Sequence, residues 1–229
     1  MRLRLLALCC LAFLLLALLP VGRAAATSIV IDGFNDFTPA DTYATSSAGF
    51  TGYATHDGVR LYLGFDGPGL FSAPTTTWLL AYLGTGAPGT SSGVLLNTQQ
   101  PALPFSASHV IRWRLDGFVQ DVQAWNGSAW VTAPIGSSLA PSGNFVEMAV
   151  MLSARGSPST LQFASYLLSD QTGFEASYAA VPGSAFVDGY DPQVGAYLTF
   201  ATPEPSTALL VGLGLGLVAA RGRRSGSQA

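Results

Sequence analysis

The chain of 229 residues contains no lysine; its ten basic residues are all arginine. Six of these stand near the ends, Arg2, Arg4 and Arg23 at the front and Arg221, Arg223 and Arg224 at the back. Residues 27–202 keep only Arg60, Arg112, Arg114 and Arg155 against twelve carboxylates, a formal charge of −8. Such a surface repels phosphate backbones and argues against nucleic-acid binding. Cysteine is as scarce. Cys9 and Cys10 are the only two, and both fall in an apolar leader, so the body of the chain has neither disulfide nor thiol chemistry. Histidine is limited to His56 and His109, too few for a zinc site that draws several ligands from His or Cys. Residues 27–200 also lack any long stretch of helical periodicity. Low charge does not mean disorder here, because Trp, Phe, Tyr, Leu and Val are plentiful enough to bury a sizeable core.

The two ends read as addresses. Arg2 and Arg4 precede an apolar run from Leu5 to Leu19, and Ala24, Ala25 and Ala26 supply the small side chains of a signal-peptidase site, so residues 1–26 are expected to be a secretory signal. The competing reading, an uncleaved anchor, is opposed by the shortness of the run and by Pro20. Lipid modification at Cys9 is opposed by bulky Leu8 and by the apolar residues that follow. At the far end, Ala208–Ala220 is uncharged and apolar on every face. As a helix it would reach only ~20 Å, short of a ~30 Å hydrocarbon core. It stops at Arg221, Arg223 and Arg224, which fits a cytoplasmic C-terminus under the positive-inside rule. Gly212 and Gly216 form a small-xxx-small pair, read here as a consequence of abundant glycine.

This tail resembles the PEP-CTERM sorting signal. Pro203, Glu204 and Pro205 with Ser206 match the motif, Ala208–Ala220 the membrane segment, and Arg221–Arg224 the basic stop. The resemblance implies export across an inner membrane, a pause there, and cleavage near the motif by an exosortase, in a cell producing exopolysaccharide and biofilm matrix. The two prolines disfavour helix and keep the segment extended for a protease. The resemblance covers about the last two dozen residues and defines an address, not a cargo.

Between the ends, short β-rich runs recur, bounded by Gly, Pro, Ser, Asn and Asp: SIVI from Ser28, VRLYLGF from Val59, TTWLLAYL from Thr76, HVIRWRL from His109, VQDVQAW and SAWVTA around Asn126-Gly127, FVEMAVML from Phe145, LQFASYLL from Leu161, then FEASYAAV and GAYLTFA. About ten strands without helices between them predict an all-β antiparallel sandwich over residues 27–200. Asn126-Gly127 predicts a two-residue hairpin loop, and Asp57-Gly58 a second turn. Residues 84–106, dense in Gly, Ser and Pro, predict a long loop, functional or poorly ordered. The order of IVIDGFNDF, ATHDGVRLYLGFDG, HVIRWRLDGFVQDVQAWNGSAW and NFVEMAVMLSARGSPSTLQFASYLLSD resembles DOMON-like sandwiches, which include family-nine carbohydrate-binding modules. That resemblance bears on fold more than activity.

Motifs of catalysis are weak. Gly89–Gly93 fits G-x-S-x-G, but a nucleophile elbow needs a strand before it and a helix after it. Gly84–Gly89 fits G-x-G-x-x-G, but Pro88 and the missing helix remove the phosphate cradle. Asp32 and Asp36 follow the first run, and Asp188 and Asp191 precede the last. If those runs were neighbours, the four carboxylates would make a calcium site; ordinary Asp-Gly turn chemistry at Asp32-Gly33 and Asp188-Gly189 is the competing reading. Trp78 and Trp113 are expected in the core, whereas Trp125 and Trp130 flank a hairpin tip where a solvent-facing indole would stack on sugar; core packing or cross-strand pairing is the competing reading. Asn126-Gly127-Ser128 is formally a glycosylation sequon, read here as a turn. Three functions follow in order: an exported, non-enzymatic envelope or matrix protein processed by an exosortase; a carbohydrate-binding module for exopolysaccharide; and a secreted hydrolase.

Overall fold

The computed structural model describes residues 29–202 except Asn97, Thr172, Gly173 and Asp191. The expected signal peptide, sorting motif, membrane segment and basic stop lie outside the described residues, as does Asp191. Among the described residues no helix is long and apolar enough to cross a membrane.

Among the described residues fourteen strands follow one another: β1 Thr42–Ala44, β2 Thr51–His56, β3 Arg60–Asp66, β4 Thr77–Gly84, β5 Thr90–Ser92, β6 Ala102–Ala107, β7 His109–Arg114, β8 Gln120–Trp125, β9 Trp130–Thr132, β10 Ser137–Ser142, β11 Phe145–Met151, β12 Thr160–Gln171, β13 Phe174–Val181 and β14 Leu198–Ala201. One sheet has the order β1-β2-β3-β11-β10; a larger one has β13-β12-β4-β7-β8-β9, with β14 also on β12. All these pairs are antiparallel. The two sheets form an all-β sandwich-like body. Their facing residues alternate along each strand, as the two-residue period of a pleated strand requires. Leu61, Leu63 and Phe65 of β3 and Val146, Met148 and Val150 of β11 meet Leu79, Ala81 and Leu83 of β4, Ile111 and Trp113 of β7, and Leu161, Phe163 and Leu167 of β12.

The larger sheet is buried on its other face too. There Leu80 and Tyr82, Val110, and Ala164, Tyr166 and Leu168 form a second cluster with Leu103, Phe105, Ala107, Phe186 and Val194. The cover comes largely from residues 84–106, read above as a loop. They instead contain the β5–β6 ribbon. β6 alternates buried Leu103, Phe105 and Ala107 with exposed Ala102, Pro104 and Ser106, so its proline faces water, where a missing N–H does little harm. Two glycines let this ribbon close. A Cβ on Gly89 would lie 2.6 Å from the Ala107 carbonyl oxygen, and one on Gly93 would lie 2.5 Å from Pro101 and 2.8 Å from the Tyr82 hydroxyl.

Two further expectations are corrected. Ile29–Ile31 is not a strand; Ile29 and Ile31 pack with Phe37, Tyr62 and Ala149 on the outer face of the five-stranded sheet. The β8–β9 loop is shifted by one residue. Asn126 N–H donates to Ala129 O at 3.1 Å, which leaves Gly127 and Ser128 at the centre. Gly127 alone has a positive φ, +103°, so glycine takes the first central position, as a type II′ loop demands. The Asn126 side chain closes the loop by accepting from the Ser128 and Ala129 N–H groups at 3.0 and 2.9 Å.

Candidate functional site

The register that pairs Trp125 with Trp130 brings the two indoles together. Their centroids are 5.7 Å apart, edge to face, and Trp130 also meets Tyr82 edge to face at 6.4 Å. Both indoles are half-buried, so the pair offers part of its surface to solvent while Trp130 belongs to the second core. Trp113 is 4% exposed in the inner core. Trp78 is half-buried on the outer face, with the Arg114 guanidinium 5.9 Å from its ring centroid.

The described carboxylates of the expected calcium set do different things. Asp32 Oδ1 accepts from Phe34 N–H at 2.9 Å, and Asp36 Oδ2 accepts from Val30 N–H at 3.3 Å; both brace the segment that covers the five-stranded sheet. Asp188 accepts hydroxyls from Ser46 and Ser47, each at 2.5 Å. The runs flanking these residues are not neighbours: the Ile29–Phe37 segment lies on the five-stranded sheet, while β14 pairs in the larger one. No group of three or more His, Cys, Asp or Glu able to hold a metal occurs among the described residues.

A carboxylate that sequence reasoning missed is Glu147. It lies within an apolar run, is fully buried, and accepts from the N–H groups of Asp32 at 2.7 Å and Gly33 at 2.6 Å. Burial raises its pKa; those two N–H groups oppose the rise, and nearby Asp32 and Asp36 add to it. Glu147 therefore ties the N-terminal cover to the middle of β11.

The histidines are structural in their surroundings. His109 Nδ1 is 3.0 Å from the Ser108 hydroxyl, but that serine is 1% exposed and bonds to the Leu83 carbonyl and the Thr85 N–H, both at 3.2 Å. Burial, with a smaller push from Arg155, lowers the His109 pKa to about 4. His56 lies on Phe200 with centroids 5.0 Å apart, and burial lowers its pKa. Ser91, of the G-x-S-x-G match, lies inside the short strand β5, with no helix after it.

One concavity was not foreseen. A cleft of about 670 Å³ lies beside the β12–β13 hairpin, walled by the 69–77 connection and by residues 188–190. Gly189 and Ser177 exchange backbone hydrogen bonds at 2.8 and 2.9 Å, which pins the wall to β13. Gly189 has φ +143°, a value that favours glycine. Behind the wall, the Ala180 and Ala179 N–H groups donate to the Ser46 and Ser47 hydroxyls at 2.9 and 2.7 Å, and these hydroxyls hold Asp188. Ala179 has φ +52° near an irregularity in the β12–β13 register. The bulge leaves two N–H groups for the serines to take. No family model, curated protein or solved structure matches the chain.

Proposed function

We propose that this chain is an exported, non-enzymatic component of the cell envelope or extracellular matrix, sorted through an inner membrane and processed by an exosortase in an exopolysaccharide-producing cell. The reading rests on the resemblance of residues 201–224, and the place where the fold closes supports it. β14 pairs with the first residues of β12, Ala201 opposite Thr160. Thr202 then donates its N–H to Ser159 O at 3.0 Å and its hydroxyl to Pro158 O. Pro203, the first residue of the motif, comes next. Residues 203–207 separate this clip from the apolar segment, a reach of at most about 18 Å when extended. The body would therefore hang close to the bilayer by the Thr160 end of β12, with the Gln171 end, about 36 Å further along at ~3.3 Å per residue, pointing away.

The test is the full-length chain with a C-terminal epitope, expressed with and without an exosortase. Exosortase-dependent loss of the epitope and appearance of the body outside the inner membrane are expected. Replacing Pro203, Glu204 and Pro205 by alanine should leave an uncleaved, membrane-bound precursor. Retention of the wild-type protein in the cytosol, or exported protein that keeps its epitope, would end this reading.

A second reading, a carbohydrate-binding module for exopolysaccharide, is favoured by the half-exposed Trp125–Trp130 pair. Saccharide binding by the full-length protein, with and without calcium, tests it. A secreted hydrolase remains the third reading, and no observation in the described residues favours it.

A further inference from the structure

We infer that the cleft beside the β12–β13 hairpin binds a neutral saccharide, with the Tyr190 ring as its stacking wall. The inference takes its ligand class from the sugar-binding reading but places the site away from the Trp125–Trp130 pair. Tyr190 is 57% exposed, yet it is held at both ends. Its backbone follows the pinned Gly189, and its hydroxyl donates to the Thr98 carbonyl at 3.0 Å. The Thr98 hydroxyl in turn donates to Glu175 Oε2 at 2.8 Å, on the same cleft. An aromatic ring held rigid in water contributes little to a core. It loses little entropy on binding, and its apolar face suits the C–H face of a pyranose.

The rest of the lining selects the ligand. Ser72, Gln171, Glu175 and Asp188 supply hydroxyl, amide and carboxylate groups, and among the described residues no arginine or histidine lines the cleft. Phosphate, sulfate and uronate would meet carboxylates without a counter-charge. A cation would find only two carboxylates on the cleft, Glu175 and Asp188, and no third acidic or imidazole ligand grouped with them among the described residues. A polyhydroxyl chain, both donor and acceptor, fits this set. The volume falls in the usual ligand range of roughly 300–1,000 Å³. Ser169 and Gln171 put the cleft at the end of β12 opposite Thr160, so a tail attached at Thr202 leaves it open to an external polymer.

The experiment titrates full-length protein, in a detergent without a sugar headgroup, with neutral hexose oligosaccharides, their uronate counterparts and a polyamine. Neutral oligosaccharides should bind, and Tyr190→Ala should weaken them about tenfold with an unchanged unfolding midpoint, since the ring is exposed. Gln171→Ala should weaken binding by a smaller factor, and Trp125→Ala should leave it unchanged. Binding that survives Tyr190→Ala but is lost in Trp125→Ala overturns this site while keeping the sugar-binding reading. Absence of saccharide binding by folded wild-type protein overturns both. Preference for the uronates or the polyamine, or cleavage of the bound chain, overturns the assignment of a neutral-saccharide binding cleft.

Discussion

The two faces of the larger sheet are both buried, but by different means. The inner face meets another sheet, and its contacts are mainly aliphatic, with Leu79, Leu83, Ile111, Phe163 and Leu167 against Leu61, Phe65 and Met148. The outer face is closed by the β5–β6 ribbon and by Phe186 and Val194 of the segment before β14, and it carries polar tips: Tyr82 and Tyr166 stacked at 6.2 Å, and the Arg112–Asp121 ion pair. The five-stranded sheet repeats the contrast, its outer face covered by the segment held on Glu147. Sheet-on-sheet packing buries area that only global unfolding exposes. A cover held by a few hydrogen bonds can open locally, as in other proteins with subglobal unfolding units.

The largest effect should come from the inner face. Phe163→Ala removes a fully buried ring stacked on Phe200 at 5.4 Å and should cost about 3–5 kcal/mol, read as a lower denaturant midpoint of one cooperative transition. Next, Glu147→Ala deprives the Asp32 and Gly33 N–H groups of their acceptor and should cost about 1–3 kcal/mol. Amide exchange should quicken in residues 29–37 before the core, with Glu147→Gln milder because it keeps an acceptor. Tyr82→Phe removes the hydroxyl that accepts from Val94 N–H at 3.2 Å, a loss of about 1 kcal/mol expressed as faster exchange in residues 90–107. Uniform exchange changes across the body in either cover variant would erase the distinction between core and covers.

For the pH dependence the sign is the prediction. The His109 pKa is lowered by burial from 6.5 to about 4, and that of His56 is lowered for the same reason. Between the unfolded and folded values the unfolded chain binds more protons, so stability falls as pH drops from about 6.5 toward 4. Glu147 opposes this. Its raised pKa means that the folded chain binds the proton first, so it favours the fold as pH falls into the window above its ordinary value of 4.5. Thermal melts of His109→Gln should show a shallower decline over that window, and those of Glu147→Gln a steeper one.

Most strands were legible because two buried faces leave a strong mark. TTWLLAYL and LQFASYLL became β4 and β12, each covered on both sides. β6 was read as loop, because Pro101 and Pro104 hid its alternation. β10 carries no apolar run; it is an edge strand with Pro141, formed because β11 offers a free ladder. The site was least legible. Asp188-Gly189 showed a turn, but nothing near it announced Ser46, Ser47 or Thr98, and Glu147 was hidden inside an apolar strand.

By itself the chain determined its negative body, its lack of cysteine after Cys10, its period-two alternation and the resemblance of its tail to a sorting signal, because each depends on composition or on residues close in sequence. Which carboxylate meets which partner was decided only by tertiary structure. Asp188 is held by Ser47 from 141 positions away, and Glu147 holds Asp32 across 115. Contacts at such separations form only when the sheets close on each other, so no local pattern encodes them.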